Sequence, residues 1–537
     1  MLEVSNLSKI FPDKKLFTNV NLKFLPGNVY GIIGANGVGK STFLKILSGE
    51  IEASSGDIIK EKNARISSLS QNQNEFDSFI VTDAVIMGNQ ELYNINIEKN
   101  KIYENPDATI EDYERASVLE QKYGEMGGWN AENDAQTLLA NLGIHKSRWN
   151  LKVKELKAPE KVKVLLAKAL FGNPDILILD EPTNRLDLKA IKWLENFLID
   201  YEHIVIVVSH DSKFLDEICT HIIDIDYSEA KQFVGNYTFW KQASALLIEM
   251  QQKQNLKKEQ QAEKLKEFIA RFSANLSKSR QATSRKKLLD KLVIDEIKPS
   301  SRKYPFIKFD LNRFPGKQVL TVQNLSYKND QGETLFENVS FTLKPGDKMA
   351  IIGEDDIAKT KFLEIIFGRL KPTSGTVEWG ITIKPNYFPN NNLEFFQNDE
   401  TILEWISKWP LNNSTQETKD NSDSRMRGFL GRMLFSNDSV FKQVKYTSGG
   451  EKVRLMFSKL MLEESNFLIF DQPLDHLDSE SIDSLIDAIK DYKSSCLFTT
   501  YNQTMIKECS NVILEIKPKE SFLFYGDLEE YEKAMGY

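Results

Sequence analysis

Residues 34–42 read Gly34-Ala35-Asn36-Gly37-Val38-Gly39-Lys40-Ser41-Thr42. The run fits G-x-x-x-x-G-K-[ST], a loop whose glycines let backbone N–H groups close around phosphates. In such a loop Lys40 reaches the β- and γ-phosphates, and the Ser41 hydroxyl holds Mg²⁺. The flanks agree with that reading. Residues 29–33 are a short apolar run, as in a buried strand, and 42–47 open a helix. Bound phosphate would therefore meet the positive N-terminus of the helix. Strand, loop and helix in register predict an α/β fold around a nucleotide.

The remaining chemistry lies further along. The apolar run 176–179 ends in Asp180-Glu181, placing two carboxylates at a strand end. Asp180 is suited to hold Mg²⁺ through water, and Glu181 to orient and deprotonate an attacking water. Asn184-Arg185-Leu186-Asp187 follows as a turn. A second apolar run, 204–208, ends in Ser209-His210, with the imidazole within reach of a γ-phosphate. Gln71 follows another strand, 64–69, where it would sense Mg²⁺ and water. Phe11 precedes Gly34 at a spacing that suits stacking on adenine. Ser448-Gly449-Gly450-Glu451 opens an amphipathic helix, 453–462, and makes a further anion site.

The chain is a duplication. Leu16-Phe-Thr-Asn-Val20 recurs as Leu335-Phe-Glu-Asn-Val339, and Gly34, Lys40 and Ser41 map onto Gly353, Lys359 and Thr360. Leu177-Ile-Leu-Asp-Glu-Pro182 recurs as Leu468-Ile-Phe-Asp-Gln-Pro473. The offset falls from 319 to 291 between these blocks, so the first copy carries 28 extra residues. They are assigned to about 91–125, read as two short helices broken near Pro106, with 9 acids against 4 bases. The copies end alike at Phe233-Val-Gly235 and Phe524-Tyr-Gly526. The expected domains are 1–237, a helical linker 238–316 that folds back once, and 317–537. Residues 239–272 would make one helix of roughly 50 Å, weakly striped by Leu246, Ile248, Met250 and Leu256. The expected tip, 271–287, is basic.

Composition limits the alternatives. Of 537 residues 41% are apolar and 27% charged, as in globular proteins. No apolar run approaches the ~20 residues of a membrane span, and the N-terminus does not read as a signal peptide. Cys219, Cys496 and Cys509 lie far apart and the five histidines do not cluster, so zinc is not expected and the compartment reads as the reducing cytoplasm. The net charge is −8, yet residues 251–303 hold 15 Lys and Arg against 6 Asp and Glu. An acidic body with one basic segment points to a local polyanion contact. The candidate RNA contacts are Arg271, Lys278, Arg280, Arg285, Lys286 and Lys287.

Together these motifs resemble an ABC ATPase: Walker A, Gln loop, Ser-Gly-Gly-Glu signature, Asp-Glu-Pro-Thr-Asn Walker B and Ser-His switch. Two copies without a membrane domain, joined by a charged helical linker, resemble the ABC-F group. The run 268–285 and Tyr123-Gly-Glu-Met126 resemble its YbiT-like branch. The resemblance covers essentially the whole chain. It implies two P-loop domains stacked head to tail within a monomer. Each ATP would lie between the Walker motifs of one copy and the signature of the other. It also implies a cytoplasmic translation factor at the ribosomal E site. The linker tip would face rRNA and P-site tRNA, and the arm would face the L1 stalk.

The second copy departs from this pattern. Its loop reads Gly353-Glu-Asp-Asp-Ile-Ala-Lys-Thr360, so three acids would face a polyphosphate. Beside Asp471, Gln472 replaces the base and Tyr501 the switch histidine, and Asn390 stands where Gln71 does. In the first copy the signature is Leu156-Lys-Ala-Pro-Glu160. Every intact part falls in one composite site and every altered part in the other. One hydrolytic site and one degenerate site are expected, the second built on Lys359, Thr360, Asp471, Gln472 and Tyr501. Lys359 and Thr360 keep weak or static ATP binding open there, with Mg²⁺ screening the acids. The alternative function is the cytosolic ATPase of a transporter with separate membrane proteins.

Overall fold

The computed structural model describes residues 1–12, 14–70, 72–272, 284, 286–289, 302–311, 313–409, 419–436, 438–463 and 465–536. Each copy carries a six-stranded and a three-stranded sheet. In the first copy the large sheet runs Ile66–Ser68, Ile176–Asp180, Ile204–Val208, Asn28–Ile33, His221–Asp226, Glu229–Val234, with the last strand antiparallel to the rest. The second copy repeats this order from Pro385–Phe388 to Phe522–Tyr525. In each small sheet the first strand pairs antiparallel with two others, and the registers match: Leu2 faces Phe24 and Lys60, and Leu320 faces Leu343 and Trp379.

Burial explains the apolar runs. Ile204–Val208 is parallel to both neighbours and buried throughout, so it is apolar at every position rather than alternating. Its odd and even residues enter different cores. Val205 and Val207 join Leu177, Leu194 and Phe214 on one face, while Ile204, Ile206 and Val208 join Phe43 and Leu47 on the other. The three adjacent central strands end on one edge, where open α/β sheets bind ligands. Gly34, Asp180 and Ser209-His210 all lie at those ends.

The arm is a helical hairpin, Gln90–Glu104 and Ile110–Glu125. The turn between them holds Pro106, and Thr109 forms a capping box with Asp112. Part of its acidity is neutralised internally: Lys122 pairs with Glu91 at 2.5 Å and Arg115 with Glu98. The linker begins as one helix, Tyr237–Phe272. Leu246, Met250 and Leu256 are each more than half exposed, so the stripe they form is not covered by described residues. Lys278, Arg280 and Arg285 lie outside the described residues, Arg271 is in the last turn of this helix, and Lys286 and Lys287 are exposed.

The copies touch through a buried polar cluster. Asp211, only 3% exposed, accepts hydrogen bonds from the Gln503 N–H (2.7 Å), the Thr504 N–H (3.3 Å) and the Thr504 hydroxyl (2.7 Å). Lys213 Nζ donates to Gln503 Oε1 at 2.7 Å and pairs with Glu532 at 3.1 Å. Gln503 Nε2 donates to Glu195 Oε1 at 2.7 Å. The buried charges are thus partnered across the junction, as their burial requires.

Candidate nucleotide sites

In the first copy the loop after Asn28–Ile33 has φ of 152° at Gly34, 76° at Gly37 and 107° at Gly39. A Cβ at Gly34 would lie 2.4 Å from the Ile225 carbonyl oxygen, so only glycine fits there. The helix Lys40–Ser48 starts directly after the loop. Lys40 is buried, and its Nζ donates to the Gly34 carbonyl at 2.7 Å and more weakly to that of Ala35 at 3.4 Å. Burial lowers its pKa, and Glu181, Glu480 and Asp180 act against that.

A cavity of about 490 Å³ opens over this loop. Asn36, Gly37, Gly39, Lys40, Ser41 and Thr42 form its floor, Phe11 one wall, and Asp180, Glu181 and His210 the other. Ala35 and Val38 shape the loop without lining the cavity; Val38 packs against the core. Lys14, absent from the sequence motifs, also lines it, and a Cβ on Gly37 would meet its Nζ at 3.1 Å. Gln71 lies outside the described residues.

Glu181 has left-handed backbone, φ 52°, costly for a residue with a Cβ. Its Oε2 accepts the His210 N–H at 3.2 Å. Its Oε1 accepts no hydrogen bond from described residues and lies 3.4 Å from His210 Nε2. An orphaned carboxylate oxygen beside a buried lysine fits a site that receives water and a phosphate. The donor set Ser41 and Asp180 is all oxygen, which fits Mg²⁺. Burial, then the neighbouring Asp180, pushes the Glu181 pKa up to about 8. Burial and then Lys40 push His210 down to about 4.

These shifts set a pH dependence. A carboxyl whose pKa rises on folding stabilises the fold fully below its ordinary value of 4.5, and that contribution is lost as pH rises to about 8. His210 acts in the opposite direction: its contribution is present above 6.5 and lost as pH falls toward 4. Replacing Glu181 by Gln removes the first loss. The stability of Glu181→Gln should therefore gain on wild type between pH 5 and 8, by a few kcal/mol at most at ~1.4 kcal/mol per pKa unit. Thermal melts of nucleotide-free protein across that range check it; a constant gap would contradict it.

The second copy contributes to this site through residues that sequence comparison did not single out. Ser479 Oγ hydrogen-bonds His210 Nδ1, and Asp478 and Glu480 act electrostatically on Lys40. Ser479 is aligned with Leu188 of the first copy, so the repeat carries no signal for it. Ser448, Gly449 and Gly450 do not line the cavity. Ser448 caps its own helix by accepting the Glu451 N–H at 3.3 Å, and a Cβ on Gly449 would lie 3.0 Å from the His476 ring.

At the aligned place in the second copy the geometry differs. The helix begins at Asp356, four residues ahead of Thr360, so 356–358 are wound into helix rather than looped. Asp355 caps it, accepting the N–H groups of Ile357 (2.9 Å) and Ala358 (3.2 Å). Asp356 pairs with Lys359 at 3.0 Å, accepts the Tyr501 hydroxyl, and lies 3.4 Å from Gln472 Nε2. The Lys359 ammonium sits 4.0 Å from the Tyr501 ring centroid and is 1% exposed. The expectation that three acids would all face a polyphosphate is corrected here: Asp355 and Asp356 are turned onto the chain's own donors. Asp471, fully buried, accepts from Thr499 (2.8 Å) and Tyr387 (3.3 Å). Gln472 has φ 50°, repeating the strained backbone of Glu181 without its carboxylate.

A family model described as ABC transporter matches residues 17–184 and 336–475, and a second with the same description matches 223–309. The chain is 49% identical to the uncharacterized ABC transporter ATP-binding protein YkpA of Bacillus subtilis, over 96% of this chain and 95% of that protein. It is 42% identical to the probable ATP-binding protein YbiT of Escherichia coli O157:H7, with both chains fully covered. It is 31% identical to ABC transporter F family member 2 of Arabidopsis thaliana, over 98% of this chain and 78% of that one. Among solved structures, the archaeal ribosome recycling factor aABCE1, in complex with ribosomal stalk protein aP1, superposes with a TM-score of 0.61 at 18% identity. That match covers 99% of this chain and 92% of that one, and speaks to the fold.

Proposed function

The chain belongs to the ABC-F family of ATP-binding cassette proteins, and on that premise we propose that it hydrolyses ATP at one composite site and couples this to action on the ribosome. The observation that carries the first part is the contrast between the loops: open over a cavity at 34–39, wound into helix at 356–358. In the competent site the loop N–H groups and Lys40 hold the phosphates. Ser41 and Asp180 would hold Mg²⁺, and Gln71 is a further candidate for that role by its place in the sequence. Mg²⁺, when bound, supplies charge neutralisation on the phosphate oxygens. Phe11 stacks on the base, and Ser448, Gly449 and Gly450 close on the terminal phosphate as the sandwich tightens. Glu181 Oε1 takes the proton of the attacking water, and His210 holds the γ-phosphate.

The ribosomal part rests on charge and kinship. The basic tip suits rRNA or tRNA phosphates, while the acidic body stays clear of them. The arm exposes Ile110 (80%) and Val118 (68%) beside its acids, a face suited to a ribosomal protein such as that of the L1 stalk. The aABCE1 relative in fold is described as a ribosome recycling factor. Among the described residues no helix is long and apolar enough to cross a membrane. The E site in the cytoplasm is the proposed location.

Sedimentation through sucrose tests this. Glu181→Gln protein with Mg·ATP should pellet with ribosomes. Replacing Arg280, Arg285, Lys286 and Lys287 by Gln should weaken binding and lower the log–log salt slope by about 1 per lost phosphate contact. Failure of the Glu181→Gln chain to pellet would favour the transporter-ATPase reading.

A further inference from the structure

The altered signature of the first copy and the altered loop of the second meet each other. Lys157 stands where Ser448 stands in the second copy, at the 291-residue offset. Its Nζ donates to Asp355 Oδ2 at 2.8 Å, across the junction between the copies. The other oxygen of the same carboxylate takes the Ile357 and Ala358 N–H groups. One side chain thus fills two roles of a terminal phosphate in a head-to-tail sandwich: anion at the helix N-terminus and bridge to the opposite signature.

We propose that the second cleft is a nucleotide-free contact, in which Asp355 occupies the place of a terminal phosphate and Lys157 reaches across to it, holding that side of the sandwich together without ATP. The substitutions compensate each other chemically. A carboxylate carries less charge than a terminal phosphate, and the signature hydroxyl is replaced by an ammonium, so the bridge is a charge-assisted hydrogen bond. The rest of the cleft is already committed. Lys359 is held between Asp356 and the Tyr501 ring, and Asp471 is held by Thr499 and Tyr387. A nucleotide entering here would have to unwind 356–358, expel the Asp355 carboxylate and break the Lys359–Asp356 pair together. The Lys157 side chain is 46% exposed and that of Asp355 27%, so the bridge is a salt-sensitive contact rather than a rigid weld.

The inference rests on the reading that hydrolysis belongs to the first loop, and two measurements keep them apart. A carbodiimide joins a touching amine and carboxylate as an amide, itself taking up the water lost. Applied to the full chain stripped of nucleotide, it should give a Lys157–Asp355 cross-linked peptide by mass spectrometry. The Lys163–Asp187 pair within the first copy serves as a control. The yield should change less than about twofold on adding Mg·ATP, and Asp355→Asn should abolish the cross-link. Equilibrium dialysis of Glu181→Gln with Mg·ATP should then give one nucleotide per chain, and of Asp355→Asn/Glu181→Gln also one. A cross-link that forms only with ATP, or two nucleotides per chain, overturns the inference. Wild-type turnover by Glu181→Gln would instead overturn the assignment of the hydrolytic site and leave the cross-link result standing.

Discussion

Glu181→Gln is expected to lower ATP turnover by about 10²–10⁴-fold, the usual contribution of a positioned general base, while leaving ATP binding near wild type. The amide keeps the size of the side chain and can still accept the His210 N–H at the Oε2 position. What it loses is Oε1, the oxygen that accepts no hydrogen bond from described residues and faces His210 Nε2 at 3.4 Å. The raised pKa makes the prediction more specific. In the nucleotide-free site Glu181 holds its proton up to about pH 8, so a base is available at neutral pH only when bound cation lowers that value. Wild-type kcat/KM, which reports the nucleotide-free site, should therefore rise from pH 6 to 8, and the residual rate of Glu181→Gln should not follow it. Phosphate release assays over that range decide the matter. The reciprocal substitution, Gln472→Glu, should restore no second activity: Asp471 beside it is already bound by Thr499 and Tyr387, and the added carboxylate would face Asp356.

The sequence made the skeleton of this site legible because each part sits at the end of an apolar run. Strand ends near Gly34, Asp180 and Ser209 follow from the runs themselves, and the repeat placed the second copy. The reverse was true of conformation. That Asp355 would cap a helix and let residues 356–358 wind up depends on a choice between two backbone states, which acids at those positions do not announce; the same letters permitted a loop repelling phosphate. The contribution of Ser479 to His210 was hidden because it crosses between copies and has no counterpart at Leu188. The bridge from Lys157 to Asp355 was hidden similarly, since each residue taken alone looks like loss of a motif.

Arg302→Ala is expected to destabilise the junction between the linker and both copies by about 3–5 kcal/mol, the cost of removing one partner from a buried ion cluster. The guanidinium returns from the linker between the two domains and is 15% exposed. It pairs with Asp224 at 2.5 Å and Asp226 at 3.8 Å in the first copy and with Glu480 at 3.4 Å in the second. Its carbon lies 5.1 Å from the Trp240 ring centroid, at the base of the linker helix. Alanine leaves three carboxylates together where burial already raises the pKa values of Asp224 and Glu480. Those groups respond by taking up protons, which fixes the sign of the pH dependence. The loss should be small near pH 5 and grow toward pH 8, as carboxyls held protonated in the fold ionise more readily in the unfolded chain. Arg302→Lys, which keeps the charge but not the planar fork, should recover part of the loss. Calorimetry should show the first unfolding transition of Arg302→Ala falling by roughly 5–10 °C at pH 8. Because Glu480 adjoins Ser479, and Ser479 holds His210, turnover should fall along with stability. An unchanged transition with lost turnover would separate the two, and would mean that Arg302 orients His210 without anchoring the linker.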